Sequence, residues 1–168
     1  QILLHKHDIR LIRMLDGQEG DNTVLGIYQT DGLLQGIYVE SDAMLDKLIY
    51  EISPCFPVVK YDYVKRQLRA MAPVADLCRD RDLIAVNNGI FNYKTKELLE
   101  FSPGYVFLSK SYVNYNPNAA NVVIHNDEDG TDWDVESWMD TLSDDAEVVD
   151  LLWKILGAII RPNVRWNK

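Results

Sequence analysis

Residues 83–117 read LIAVNNGIFNYKTKELLEFSPGYVFLSKSYVNYNP, and this stretch decides the fold because short apolar runs alternate with turn-forming residues. Leu83–Val86 is an apolar run suited to a buried strand, and Asn87-Asn88-Gly89 supplies residues that tolerate positive φ at a tight turn. From Ile90 the chain alternates apolar and polar positions, as a strand with one buried face does. The pattern predicts a β-hairpin.

The same alternation continues to residue 117. Residues 94–96 form a polar turn, and the apolar pattern resumes at 98–101 until the Ser-Pro-Gly of 102–104. A further β-prone run follows at 105–108, and 112–117 is an extended segment that ends at a proline. We therefore expect a meander of short strands joined by tight turns.

The order of these turns resembles the poxvirus D5-type N-terminal domain of phage and plasmid primase-helicases, which precedes a superfamily 3 helicase domain. Members typically carry an Asn-Gly passage, then Ser-Pro, then a Tyr-Asp-Pro-like passage. Here Asn88-Gly89, Ser102-Pro103 and Tyr115-Asn116-Pro117 occupy those places, with Asn116 where aspartate is usual. The resemblance covers roughly residues 80–160 and rests on turn chemistry rather than catalytic chemistry. An unrelated α+β domain with ordinary hairpins is the alternative.

The resemblance implies a non-catalytic accessory or linker domain in DNA replication, which positions DNA or assists assembly of the helicase ring. It implies three partners: single-stranded or forked DNA, the downstream helicase domain, and further copies of the protein. ATP and Mg would belong to the missing helicase domain, because this sequence lacks the G-x-x-x-x-G-K-[ST] phosphate cradle. The setting would be the cytoplasm of a bacterial host or prophage-carrying cell. A protein-interaction or oligomerisation module without DNA contact is the alternative function.

Composition predicts one principal domain spanning residues 1–168. The chain is 47% hydrophobic and 26% charged, which is ordinary for a globular protein. The resemblance implies that this domain is associated with a helicase. It has no apolar run long enough to cross a bilayer and no secretory signal. The missing initiator methionine suggests a fragment of a longer protein. Cys55 and Cys78 lack a CxxC spacing, so we expect reduced thiols and a cytoplasmic setting.

The net charge of −9 is concentrated in residues 126–150, which hold eleven acidic residues and no basic one. The remainder carries 17 basic and 15 acidic residues and is nearly neutral. Clustered basic residues suit phosphate contacts, whereas a solvated helix face is their ordinary alternative. The predicted DNA-contact residues are Lys60, Lys65, Arg66, Arg69, Arg79 and Arg81. A second basic group near the start comprises His5, Lys6, His7, Arg10 and Arg13.

In the first half of the chain, residues 1–20 are expected to be a flexible lead-in, with apolar positions that suit either a strand or a helical turn. Residues 24–40 predict a hairpin whose turn is Thr30-Asp31-Gly32. A helix is predicted at 42–52, capped by Ser41 and Asp42. A second helix should begin at a capping Asp62 and end before Pro73, with Val64, Leu68 and Met71 facing inward.

In the second half, 118–130 is expected to be a loop and 133–142 a helix. Asp144 with Glu147 resembles a capping box for a last helix, EVVDLLWKILGAII, which is apolar on nearly every side and is expected to be buried. Docking against a missing domain is the alternative for its apolar surface. The predicted fold class is α+β, a mainly antiparallel sheet of hairpins flanked by about four helices.

No catalytic or metal site is predicted. Asp127, Asp129 and Thr131 alternate as in a calcium loop, but Asp132 and Trp138 stand where that loop needs glycine and a bidentate glutamate. The three histidines, His5, His7 and His125, do not form a metal-ligand pattern. Asp80-Arg81-Asp82 has the spacing of paired aspartates that hold divalent metals in polymerases and primases. It is a lone D-x-D before an apolar run, however, where surface charges commonly gather. An independent enzyme is therefore the least favoured interpretation.

Overall fold

The computed structural model describes residues 2–14 and 22–161. Five helices and nine strands are assigned in these ranges, which confirms the predicted α+β class with mainly antiparallel sheets. The helices are α1 (Ile2–Lys6), α2 (Asp42–Ile52), α3 (Tyr61–Met71), α4 (Val135–Asp140) and α5 (Ala146–Ile159), and a 3₁₀ turn covers Val58–Lys60. The strands are β1 (Ile9–Arg13), β2 (Thr23–Tyr28), β3 (Tyr38–Val39), β4 (Val74–Asp76), β5 (Leu83–Val86), β6 (Gly89–Asn92), β7 (Glu97–Leu99), β8 (Ile124–Asn126) and β9 (Thr131–Trp133).

The first sheet has the order β3-β2-β1-β4. β1 pairs antiparallel with β2, with Ile9 opposite Ile27, and parallel with β4, with Leu11 opposite Val74. Helices α2 and α3 pack against it and close a core that holds Ile9, Leu25, Ile27, Leu45, Ile49 and Leu68. The expected flexible lead-in is wrong for residues 2–13, because β1 lies at the centre of this sheet with Ile9 and Ile12 buried. Residues 15–21 lie outside the described ranges.

The second sheet is the meander β5-β6-β7 that the opening stretch predicts. The hairpin turn at Asn87-Asn88 is confirmed, with Val86 opposite Gly89 and Gly89 at φ +157°. Residues 105–108, however, form no strand. Their carbonyl groups bond instead to β3 and to the segment after β4, because Phe107 accepts from the Tyr38 N–H at 2.8 Å and Val106 from the Cys78 N–H at 2.9 Å.

The hairpin predicted at 24–40 exists, but its connection is longer than a tight turn. β2 and β3 pair with Tyr28 opposite Tyr38, and residues 29–37 loop out between them. The loop closes on itself, since the Gly36 N–H donates to Gln29 O and the Gln29 N–H to Ile37 O. The second strand is therefore only two residues long.

The predicted helix at 42–52 is confirmed together with its cap, since the Ser41 side chain accepts from the Met44 N–H. Asp62, in contrast, does not cap α3. The preceding 3₁₀ turn carries the chain directly into the helix, so the cap position falls on Lys60 and Asp62 lies in the first turn. Leu68 is buried as predicted, whereas Met71 is exposed at the end of the helix.

The C-terminal part differs most from expectation. β8 and β9 form a hairpin across the region predicted as a loop and the start of a helix. The capping box is found at Asp134 and Ser137 of α4, and Asp145 rather than Asp144 caps α5. The expectation that α5 is buried is wrong. Among its side chains only that of Val149 is buried, because the described chain packs α5 beside α4 and leaves its apolar face uncovered.

No helix in the described ranges is long and apolar enough to span a bilayer.

Candidate interaction surfaces

The six predicted DNA-contact residues divide between two places. Lys60, Arg66 and Arg69 are exposed on the 3₁₀ turn and α3. Lys65 points toward α2, where its Nζ lies 2.8 Å from Asp46 Oδ1. The neighbouring Asp46 carboxylate raises the pKa of Lys65, so this lysine stays charged but is already paired. Only the three exposed residues of this region offer their charge to a partner.

Arg79 and Arg81 are exposed in the segment that connects β4 to β5. Between them, Asp80 uses its carboxylate locally, because Oδ1 accepts from the Asp82 N–H at 2.9 Å. This bond shapes the turn before β5. The first aspartate of the D-x-D sequence thus accepts a hydrogen bond from the backbone of the second. No group of three or more metal-ligating side chains occurs within residues 2–14 and 22–161.

Two residues of the second basic group are paired on the first sheet. Arg10 Nε lies 2.8 Å from Asp8 Oδ1, and Arg13 Nη1 lies 3.2 Å from Asp76 Oδ1. Asp8 also approaches Tyr38, whose hydroxyl lies 3.0 Å from Asp8 Oδ1 and 2.8 Å from the Pro103 carbonyl oxygen. Burial raises the pKa of Tyr38, so the hydroxyl remains a hydrogen-bond donor. This network ties β3 to the Ser-Pro turn and is structural.

The Asn-Gly and Tyr-Asn-Pro passages are hydrogen-bonded to each other through Asn88 and Tyr115, and we call this pair of bonds the clasp. Asn88 Oδ1 accepts from the Tyr115 N–H at 2.9 Å, and Asn88 Nδ2 donates to the Tyr115 carbonyl oxygen at 2.9 Å. The Asn87 side chain adds a bond to Asn114 Oδ1 at 2.9 Å. Two of the passages that carry the family resemblance therefore bond directly to each other across 27 residues of sequence.

Several acidic residues of 126–150 bond to the backbone of their own segment. Asp129 Oδ1 accepts from the Thr131 hydroxyl and N–H, and these bonds lower the pKa of Asp129. Asp134 accepts from the Ser137 N–H at 2.8 Å at the start of α4, which lowers the pKa of Asp134. Carboxylates at a helix N-terminus are favoured by the helix dipole. These contacts place Asp129 in the turn between β8 and β9 and Asp134 at the N-terminus of α4.

An apolar stripe runs along α5, the helix that the sequence predicts to be buried. Val148, Leu151, Ile155 and Ile159 recur at spacings of three and four, which aligns them on one helix face, and all four are exposed. We call these four residues the C-terminal apolar surface. Asp150 and Lys154 form an ion pair on the polar side of the same helix. Contiguous exposed apolar patches commonly mark interaction sites.

A second apolar feature is a groove of about 510 Å³ between α1, α2 and α3, lined by residues such as Leu3, Ile49, Phe56, Val64 and Met71. Ser53 and Gln67 are its only polar lining residues in the described chain. No titratable side chain lines the groove. It therefore offers no arrangement for acid–base or nucleophilic chemistry.

Comparison with known proteins assigns the family. The family model described as D5 N terminal like matches residues 26–144, which is well over half of the chain. The chain belongs to the D5 N-terminal-like family, as the passages in the opening stretch predict. This is a non-catalytic N-terminal domain family, and it suggests the N-terminal region of primase-helicase-type proteins. No curated protein matches the chain.

Proposed function

We propose that this D5 N-terminal-like chain is a non-catalytic accessory domain of a phage or prophage primase-helicase in DNA replication. In this role it helps assemble the helicase ring by docking on the downstream helicase domain. The observation that carries the proposal is the C-terminal apolar surface on α5, which begins just beyond the residues matched by the family model. ATP and Mg serve only the helicase domain in this proposal.

The energetics favour docking over exposure to water. Burying one large aliphatic side chain contributes about 1.5–3 kcal/mol, so four such side chains on one face provide a substantial driving force. The acidic residues of 126–150 adjoin α5 and repel a nucleic-acid backbone. A protein surface is therefore the better partner for this part of the molecule. The same reasoning supports the alternative function, an oligomerisation module without DNA contact.

DNA positioning is a second candidate role, and the exposure of Lys60, Arg66 and Arg69 favours it. Lys and Arg that neutralise phosphates release counterions, which makes binding salt-dependent. Arg79 and Arg81 are exposed in a different segment, and Lys65 is paired with Asp46. The region around α3 thus offers three charges rather than the four that the sequence places there.

A docking experiment tests the proposal. Sedimentation velocity would be run on the chain alone and with a superfamily 3 helicase domain supplied separately. We expect the wild-type chain to associate with that domain, and Leu151→Glu/Ile155→Glu to lose at least tenfold in affinity, because two carboxylates would enter an apolar contact. Lys154→Glu is the matched control, since it changes the net charge equally on the polar side of α5.

Two results would contradict the proposal. One is a wild-type chain that stays monomeric and also fails to bind the helicase domain. The other is a Lys154→Glu variant that loses as much affinity as the double variant, because the effect would then come from charge alone. Circular dichroism checks that both variants keep their helix content.

A further inference from the structure

Tyr93, Lys94, Lys96 and Arg161 come together at the turn between β6 and β7. Lys96 Nζ lies 3.7 Å from the centroid of the Tyr93 ring, and Arg161 Cζ lies 4.0 Å from the same centroid. Lys94 and Lys96 are exposed, and Tyr93 keeps 44% of its surface exposed. We call these four residues the hairpin cluster. It brings Arg161 to a turn 65 or more positions earlier in the chain, so the sequence pattern does not reveal it.

The backbone of the turn is held in place by several bonds. Asn92 Oδ1 accepts from the N–H groups of Lys94 and Thr95 at 3.0 and 3.2 Å, and the Lys96 N–H donates to Asn92 O at 2.8 Å. Lys96 has φ +61°, an uncommon conformation for a residue other than glycine. The Tyr115 hydroxyl donates to Lys96 O at 3.0 Å and fixes this conformation from outside the turn.

Aromatic packing supports the same turn from the outer face of the second sheet. The Phe91 ring stacks on Tyr115 with centroids 4.2 Å apart, and it meets Tyr93 edge-on at 6.5 Å. Tyr115 is itself held by Asn88 through the clasp described above. The family-marking passages thus position the ring and the backbone that present Lys96. A surface turn that only needs to reverse the chain does not require this support.

The charges of the hairpin cluster remain available. Among the described residues, Lys94, Lys96 and Arg161 make no ion pair with a carboxylate. Glu97 follows directly in the sequence, and Asp82 lies beside Tyr93, whose N–H donates to Asp82 O at 2.7 Å. The three cations outnumber these two acidic neighbours. A cation–π pair that only stabilises a turn needs one cation, whereas Tyr93 has two, and the exposed Lys94 adjoins it in the sequence.

The start of α5, where the acidic segment enters the helix, is far from Arg161. Asp145 caps the first turn of the helix, and Arg161 follows its last turn. A helix of 14 residues is about 21 Å long, which is more than twice the screening length at physiological salt. At this separation the charge of Asp145 is largely screened from Arg161.

We propose that the hairpin cluster binds single-stranded nucleic acid. Lys94, Lys96 and Arg161 contact successive phosphates, and an unpaired base stacks on the Arg161 guanidinium, which the Tyr93 ring supports from the other side. A duplex keeps its bases paired and gains only the phosphate contacts. This site goes beyond the docking function proposed above, and it differs from the basic residues on α3.

Fluorescence anisotropy with labelled oligothymidylate and a labelled duplex tests the site across a salt series. We expect the single strand to bind more tightly than the duplex. Tyr93→Leu should weaken single-strand binding at least fivefold, about the low end of the effect of one stacked base, because it removes the ring that holds the Arg161 guanidinium in place. Lys94→Gln/Arg161→Gln should weaken it and make the slope of log K against log salt shallower by about 1.4.

Control variants distinguish this site from a general effect of charge and from the basic residues on α3. Lys47→Gln/Lys154→Gln removes two exposed charges elsewhere and should leave binding unchanged. Equal losses in this control and in the cluster variants would overturn the proposal. So would a loss found only in Arg66→Gln/Arg69→Gln, which tests the basic residues on α3. Equal binding of the single strand and the duplex would overturn it as well. Sedimentation with the helicase domain is a separate assay, so failure of nucleic-acid binding and failure of docking are told apart.

Discussion

Replacing Ile12 by alanine is expected to lower the free energy of unfolding by about 2–5 kcal/mol, the range for removing a large aliphatic side chain from a packed core. Ile12 is 0% exposed and lies on β1 between β2 and β4. It packs in one cluster with Tyr38 and Val106, which joins the first sheet to the segment leading away from the second. A cavity at this point weakens the contact between the two sheets as well as the strand.

The residues around Ile12 cannot move far into the cavity that alanine would leave. A Cβ built on Gly26 of the neighbouring strand would lie 2.5 Å from Ile12 Cδ1, so the side chain fills the space above that glycine. Alanine leaves this space empty, because the glycine has no side chain that could move into it. We therefore expect a loss in the upper part of the range.

Equilibrium denaturation with urea measures the effect. Ile2→Ala is the control, since Ile2 is 65% exposed and its truncation should change the free energy of unfolding by less than about 0.5 kcal/mol. Ile12→Val removes one methylene and should cost about 0.5–1.5 kcal/mol. Equal stabilities for Ile12→Ala and Ile2→Ala would show that β1 is not a central strand in solution.

The turns of this fold could be predicted from sequence because their chemistry is local. Asn88-Gly89 marks the β5–β6 hairpin, and Ser41 marks the start of α2, since each residue acts on backbone within a few positions. Residues 105–108 show the limit of the same method. Their composition suits a strand, but their carbonyl groups bond to Tyr38 and Cys78 in other parts of the chain, and no local pattern specifies such partners.

Burial was harder to predict than secondary structure. The sequence of α5 indicates a helix correctly, but hydrophobicity does not reveal whether the surface that covers an apolar face belongs to the same chain. Lys65 shows the converse, because a basic residue expected at a DNA surface is paired with Asp46 on the neighbouring helix. The hairpin cluster was missed because Arg161 reaches Tyr93 only in the folded chain.

Replacing Gly36 by alanine is the second substitution with a large expected effect. Gly36 has φ +87°, where an L-residue pays about 1–2 kcal/mol. A Cβ at this position would lie 2.0 Å from Phe101 Cδ1, so the ring must also move. Overpacking of this kind costs about 1–3 kcal/mol, and the two penalties together predict a loss of about 2–5 kcal/mol.

Gly32→Ala separates the two penalties. Gly32 lies in the same loop with φ +71°, but a Cβ there would meet no atom within 4 Å. Its substitution should therefore cost only the backbone strain, about 1–2 kcal/mol. Urea denaturation of both variants gives the cost of displacing Phe101 as their difference, and equal losses would contradict the close approach of the ring. Because Phe101 packs on the second sheet while Gly36 precedes β3 of the first, this difference also measures how rigidly the loop joins the two sheets.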